Sequence, residues 1–253
     1  MDNITEIDIE GYKIIEYKEK NIYIIENIFD NELCDKIINI IDIVKLKKTL
    51  YGPGENVKCY MTEIHSLLEE NDELYYSFST DEADYSNILK KINNKEYLYT
   101  NNLNGLEKDV VKELLNKINT KIEIIKNIFK KINNKITFDY NSGFLLRKIY
   151  GSTRCHSDGP ESGMNRKTSL KYISDRNIDK LNDNFIRISS CIFALNDEYS
   201  GGVLNFPYHN VNVKLKKGSL ICFPPYWTHP HEVSEATDNK YRYTLSTWFC
   251  EKY

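Results

Sequence analysis

Two histidines and an aspartate give this sequence a way to hold a metal ion. Cys155-His156-Ser157-Asp158 sets an imidazole and a carboxylate two residues apart, and on extended backbone that spacing turns both side chains to one face. Alone the pair reads equally as a turn, since Ser-Asp-Gly-Pro is common turn chemistry. Later in the chain His209, His229 and His231 compete to supply a second imidazole. His209 lies in a Pro-Tyr-His-Asn turn and is expected to face solvent. His231 runs directly into Glu232-Val233 and so starts a strand, which favours it; His229 is expected to support it or to be exposed. His65 reads as structural.

Two neutral imidazoles and one carboxylate leave a bound divalent ion positive, with open positions, a donor set suited to non-haem iron(II). A structural zinc site would close its tetrahedron with a fourth ligand, and no obvious one stands nearby. Cys155 is expected on the opposite face from His156, as a buried thiol. Arg242, Thr244, Ser246 and Trp248 alternate along one apolar stretch, so all four share a face. An arginine among apolar strand residues calls for a buried anion.

The rest of the chain must position these groups. Ile14-Ile15 and Ile22 to Ile25 read as strands. Asp30 is a good N-cap for a helix to about Val44. Tyr51 to Gly54 reads as a turn and Val57 to Ile64 as a strand, followed by a polar stretch over 66–104. Leu106 to Ile132 carries an apolar stripe including Val110, Val111, Leu114, Ile118, Ile122, Ile125 and Phe129, which predicts a helix packed on a sheet. From Ile136 the pattern turns to short strands: Phe144–Tyr150 leading into the His156 turn, Phe185–Leu195, Val203–Phe206, Val211–Leu215, Leu220–Phe223 and Tyr243–Phe249. Such spacing predicts a sandwich or jelly roll. A long polar insertion, residues 159–184, interrupts it.

Beyond the ligands, ordered motifs carry a resemblance. Arg187-Ile-Ser-Ser-Cys-Ile-Phe-Ala-Leu-Asn-Asp197, Gly201-Gly-Val-Leu204, Gly218-Ser-Leu-Ile-Cys-Phe-Pro224, Pro230-His-Glu-Val233 and Arg242-Tyr-Thr-Leu-Ser-Thr-Trp248 follow one another. Over roughly Phe144 to Phe249 the sequence resembles the 2-oxoglutarate/iron(II) dioxygenases, especially the prolyl hydroxylase branch. That resemblance implies an α+β fold with a mainly β core, a double-stranded β-helix (jelly roll) buttressed by N-terminal helices. It implies a single domain, 1–135 as helical support and 136–253 as catalytic core. His156, Asp158 and His231 would hold iron(II), with O2 and 2-oxoglutarate as co-substrates and ascorbate in support. Arg242 would meet the far carboxylate of 2-oxoglutarate, helped by Ser246 and by Tyr150, which takes the place of a family tyrosine. Ala194 stands where the family often has a tyrosine. Arg187 and Trp248 are expected to touch substrate. The implied reaction is hydroxylation, first of prolyl residues in a peptide or protein, with another side chain or a small molecule as alternative.

Composition narrows the competing classes. The 253 residues are 41% hydrophobic and 28% charged, with a net charge of -3, ordinary for a globular chain. That balance gives no electrostatic ground for nucleic acid or anionic membrane as a partner. Trp248 also stands where a nucleic-acid demethylase would be expected to carry a second arginine. The six cysteines are scattered singly, as free thiols in a reducing compartment. With no signal-peptide pattern and no run of about 18 apolar residues, a cytoplasmic location is expected. A non-enzymatic β-helix binding module is the rival class, and intact His156, Asp158, His231 and Arg242 argue against it.

Overall fold

The computed structural model describes residues 4–43, 47–49, 58–64, 105–133, 138, 140–159 and 185–252. The elements in chain order are β1 (Ile4–Ile9), β2 (Tyr12–Tyr17), β3 (Ile22–Ile25), α1 (Asn31–Ile43), β4 (Lys47–Thr49), β5 (Lys58–Glu63), α2 (Gly105–Ile132), β6 (Tyr140–Asn141), β7 (Leu145–Tyr150), β8 (Thr153–His156), β9 (Phe185–Ala194), β10 (Leu204–Phe206), β11 (Val211–Val213), β12 (Leu220–Phe223), β13 (His231–Val233) and β14 (Arg242–Lys252). Among the described residues the result is mixed and mostly β, with two helices. The Tyr51–Gly54 turn, the 66–104 stretch, His65 and residues 160–184 lie outside the described residues.

Ten strands form one sheet in the order β1-β2-β3-β12-β9-β14-β7-β5-β4, with β6 on β14; four form a second, β11-β10-β13-β8. From β7 to β14 the chain passes back and forth between the two sheets. Between them lies an apolar layer in which Ile24, Ile221 and Phe223 of the large sheet meet Phe206, Val211 and Val233 of the small one. The other face of the large sheet carries Leu146, Phe193, Leu220, Leu245 and Phe249, in one core with Ile37 and Ile41 of α1 and Val111, Ile118, Ile122 and Ile125 of α2. Strand alternation sends successive residues to these two layers, which explains why β12 reads as a continuous apolar run.

Both helices form for reasons visible in the chain. Asp30 Oδ1 accepts the Leu33 N–H at 2.8 Å, satisfying a first-turn donor that the helix itself leaves unpaired. On α2 the buried stripe runs through Val111, Leu114, Ile118, Ile122, Ile125 and Phe129. Val110, expected in that stripe, is 46% exposed, because at 3.6 residues per turn its neighbour Val111 takes the core position.

Two further strands, β1 and β4, extend the sheet beyond the expected ones. β1 alternates exposed and half-buried positions, and an edge strand bearing Glu6 and Asp8 is protected against further pairing. It joins β2 through Glu10-Gly11, both at positive φ (57° and 79°), the backbone that a two-residue hairpin requires.

Candidate metal and co-substrate site

The residues before His156 are a strand, β8, rather than the turn expected. β8 pairs antiparallel with β13, and the register sets His156 directly opposite His231. Asp158 follows just past the end of β8. The three ligand-bearing atoms lie within 4.8 Å of one another. His156 Nε2 is 3.4 Å from Asp158 Oδ1 and His231 Nε2 is 3.9 Å from Oδ2.

The outward nitrogens of both rings are occupied. His156 Nδ1–H donates to the Arg154 carbonyl at 2.8 Å, and His231 Nδ1–H to the His229 carbonyl at 3.2 Å. Each Nε2 therefore presents a lone pair toward Asp158, the tautomer a metal ligand needs. The aspartate is held from behind as well. Arg187 Nη1–H donates to the Asp158 carbonyl at 2.8 Å, and the Gly159 N–H to the Pro225 carbonyl at 2.5 Å.

Electrostatics ready the same three groups. Burial disfavours a charge on Asp158, but the facing His231 and His156 rings outweigh it and hold the carboxyl well below its ordinary range. Burial lowers His231 to about 4 against the pull of Asp158, aided by the nearby His156 and Arg147 charges. His156 is also depressed by burial, yet its hydrogen bond and charge interaction with Asp158 leave it raised overall. Near neutral pH the site thus offers an ionised carboxylate and a neutral His231. The donor set fits a divalent ion of iron type, with three protein ligands and open positions.

The triad lines a cavity shared with Arg147, Ile149, Thr153, Arg242, Thr244, Ser246 and Trp248. All four alternating residues of β14 therefore point into it. Arg242 is 8% exposed and Ser246 2%, and the hydroxyls of Ser246 and Thr244 are buried with no hydrogen-bond partner among the described residues. A guanidinium beside buried unpaired hydroxyls fits the far carboxylate of a 2-oxo diacid.

Asn196 fixes the register of this row. Its amide donates to the Tyr241 carbonyl at 3.0 Å, and its Oδ1 accepts the Tyr243 N–H at 2.8 Å. Arg242 lies between these two contacts, opposite Ile149 of β7. Asn196, near the end of the Arg187–Asp197 motif, therefore acts as a clip on the strand that carries the arginine. At the far end of the cavity Trp248 is flanked by Arg187 and Arg147, their Cζ atoms 4.3 and 5.9 Å from the ring centroid.

Tyr150 stands apart from the other expected residues. β7 turns Arg147 and Ile149 into the cavity, so Tyr150 points away, and its hydroxyl donates to Asn239 Oδ1 at 2.7 Å. The tyrosine that senses Arg242 is Tyr199, 5% exposed. Burial pushes its phenol up while the Arg242 charge pulls it down. Ala194 is buried opposite Thr244.

Three smaller expectations change. Cys155 is exposed rather than buried, because β8 is an edge strand and the face away from His156 is uncovered. His229 is 5% exposed, with Nε2–H donating to the Lys20 carbonyl at 2.7 Å and Nδ1 meeting the Thr228 hydroxyl. His209 is half-buried, its Nε2 bonded to the Thr228 carbonyl and its ring 4.2 Å from that of His229. Arg147, Thr153 and Tyr199 were not singled out by their sequence context, and Asn196 only as part of the Arg187–Asp197 motif. Arg147 had a signal of its own, a cation two residues before Ile149 in an apolar strand.

A carboxylate and two imidazoles converge between the sheets of a mostly β fold, a group that could hold one metal ion. Residues 148–250 match the family model described as the 2OG-Fe(II) oxygenase superfamily, and the resemblance to 2-oxoglutarate/iron(II) dioxygenases is borne out. No curated protein matches the chain. Among solved structures, the viral collagen prolyl hydroxylase vCPH from Paramecium bursaria Chlorella virus-1, in its 2OG complex, aligns over 92% of this chain and 97% of its own, with a TM-score of 0.52 and 15% identity. A prolyl hydroxylase from Trichoplax adhaerens, in complex with a hypoxia inducible factor peptide fragment, aligns over 91% and 84%, with a TM-score of 0.49 and 15% identity. At 15% identity the likeness to vCPH is one of fold. No helix among the described residues is long and apolar enough to cross a membrane.

Proposed function

We propose that the protein is an iron(II)- and 2-oxoglutarate-dependent hydroxylase acting on prolyl residues of a peptide or protein. The observation that carries this reading is the convergence of the His156, Asp158 and His231 donor atoms within 4.8 Å, in one cavity with Arg242 and Ser246. The fold shared with a collagen prolyl hydroxylase supports the prolyl substrate. The β7–β14 strands are read as a double-stranded β-helix within a single domain, residues 136–253 as its catalytic core and 1–135 as its support.

His156, Asp158 and His231 would hold the iron, and Arg242 with Ser246 would bind the far carboxylate of 2-oxoglutarate. When bound, iron with its co-substrate supplies the oxidising chemistry that couples decarboxylation of 2-oxoglutarate to insertion of one oxygen atom from O2 into a C–H bond. The chain's own part is to orient and to shield. The carbonyls of Arg154 and His229 fix the imidazoles, Arg187 steadies Asp158, and Trp248 closes the end of the cavity where substrate enters. Arg187 and Trp248 are the residues read as nearest the substrate, and a cytoplasmic setting suits the reduced thiols.

Succinate formation from 2-oxoglutarate with iron(II), ascorbate and O2 tests the reading. Wild type is compared with His231→Ala on proline-rich and collagen-like peptides, with product mass recorded. Turnover lost in the variant, with a gain of one oxygen on proline, is expected. Turnover that leaves every prolyl peptide unmodified would move the assignment to another side chain or a small molecule. No metal-dependent turnover, with no binding of iron or 2-oxoglutarate, would leave a binding module.

A further inference from the structure

Arg147 carries a charge that no described residue answers. It lines the cavity from β7, its buried Nε makes no hydrogen bond, and its described contact is the face of Trp248. Arg187, beside the same ring, already donates to the Asp158 carbonyl. Arg147 faces Thr244 across the strand pair, and its guanidinium reaches along β14 toward Trp248, away from Arg242. A cation next to a divalent metal centre adds like charge in a poorly solvated space, which costs free energy unless an anion sits between.

Charge balance says how much anion is missing. Arg147 and Arg242 against Asp158 leave one positive charge among the lining residues, a divalent ion raises this to three, and the 2-oxoglutarate dianion returns it to one. We infer that Arg147, over the Trp248 ring, binds a carboxylate of the substrate beside the carbon that is hydroxylated. The inference rests on the hydroxylase reading above and narrows it to substrates that are anionic at this point. Guanidinium and carboxylate match as a two-bond fork, while the indole of Trp248 beside it adds apolar surface next to the adjoining ring of a prolyl residue. The carboxylate comes either from an acidic side chain next to the target proline or from the free α-carboxylate of a terminal proline.

Binding decides the matter without turnover. Protein loaded with manganese(II) and 2-oxoglutarate is titrated calorimetrically with paired peptides: Asp-Pro against Asn-Pro, and a C-terminal proline as free acid against its amide. One acidic member should bind about tenfold or more tighter than its neutral partner, as expected of a charge-assisted hydrogen-bonded pair, and the pair that shows it identifies the source. Arg147→Gln should bring that ratio to about one with 2-oxoglutarate affinity unchanged, Arg147→Lys should retain part of it, and Arg147→Glu should favour the neutral peptide. Equal binding of both members by wild type overturns the inference. So does an Arg147→Gln variant that keeps the preference or that loses 2-oxoglutarate binding instead. If the protein binds neither manganese nor 2-oxoglutarate, it is the hydroxylase reading that fails, and the same peptide pairs on the metal-free protein still decide the role of Arg147.

Discussion

His156 and His231 face each other directly across an antiparallel strand pair, their ring centroids 4.5 Å apart. The candidate metal site is therefore a property of strand register. A slip of β8 by one residue would turn His156 to the face away from His231, so every bond that fixes β8 on β13 also shapes the site. One such bond is the Thr153 hydroxyl, which accepts the Val233 N–H at 3.0 Å where the pairing shifts between His231 and Val233.

Removing one ligand should abolish metal binding without unfolding the chain. His231→Ala and Asp158→Ala are each expected to lose detectable manganese(II) binding by calorimetry while keeping the wild-type circular dichroism spectrum. Two remaining donors hold the ion poorly, and the vacated space lies in a cavity rather than in the packed core. Wild-type affinity in Asp158→Ala would rule that carboxylate out as a ligand.

Arg242 and Asn196 should fail in related ways. Arg242→Ala is expected to weaken 2-oxoglutarate binding by about 10- to 100-fold, the value of a lost charge-assisted contact, with metal affinity intact. Asn196→Ala removes both contacts that bracket Arg242. It should weaken 2-oxoglutarate binding to a smaller degree and destabilise the fold by about 1–3 kcal/mol in urea denaturation. An Asn196→Ala protein with lower stability but unchanged 2-oxoglutarate affinity would show that the clip does not position the arginine.

Gly201 should tolerate no side chain. Its φ is +73° and a Cβ there would lie 2.1 Å from the Glu235 carbonyl oxygen. Gly201→Ala is expected to cost about 2 kcal/mol or more, read as a lower urea midpoint with unchanged slope.

The cysteines give a pH signature. Burial pushes the Cys34 thiol from 9.0 to about 12 and that of Cys250 to about 11. The unfolded chain ionises these groups from about pH 9 while the folded chain keeps them protonated, so their contribution is complete below pH 9 and is lost as the pH rises through about 11 to 12. The urea midpoint should fall on going from pH 8 to pH 10.5, and less so in Cys34→Ala. At pH 8 iodoacetamide should modify the exposed Cys155 in the native protein and reach Cys34, Cys191, Cys222 and Cys250 only after unfolding. Native labelling of Cys34 would contradict its burial.

Much of the site was legible because its residues obey strand alternation. The Arg242, Thr244, Ser246 and Trp248 row needs only that alternation, whereas the His156-x-Asp158 pair, whose aspartate lies past the end of β8, gains its meaning from His231 opposite it. Tyr150 was misplaced for the same reason that Arg147 was overlooked: Leu145 to Tyr150 has buried and half-buried residues on both faces, and only the neighbouring strands decide which parity faces the metal. Cys155 was correctly set opposite His156, but its exposure depends on β8 lying at a sheet edge, which no local pattern encodes. The helices were read to within a residue or two, since an N-cap and a stripe of period 3.6 are local signals. β1 escaped notice because its apolar residues do not strictly alternate, and the hairpin that holds it is set by two positive φ angles.

The pairing of β3 with β12 bears on how this protein can be dissected. The stretch that matches the oxygenase family begins at residue 148, inside β7. A fragment cut there would break a strand that feeds two residues into the cavity and would bare one side of β12. It would also remove the Lys20 carbonyl gripped by His229, two residues from His231. The matched stretch is not a portable cassette, and a chimera that borrows it must borrow the β2–β3 hairpin too.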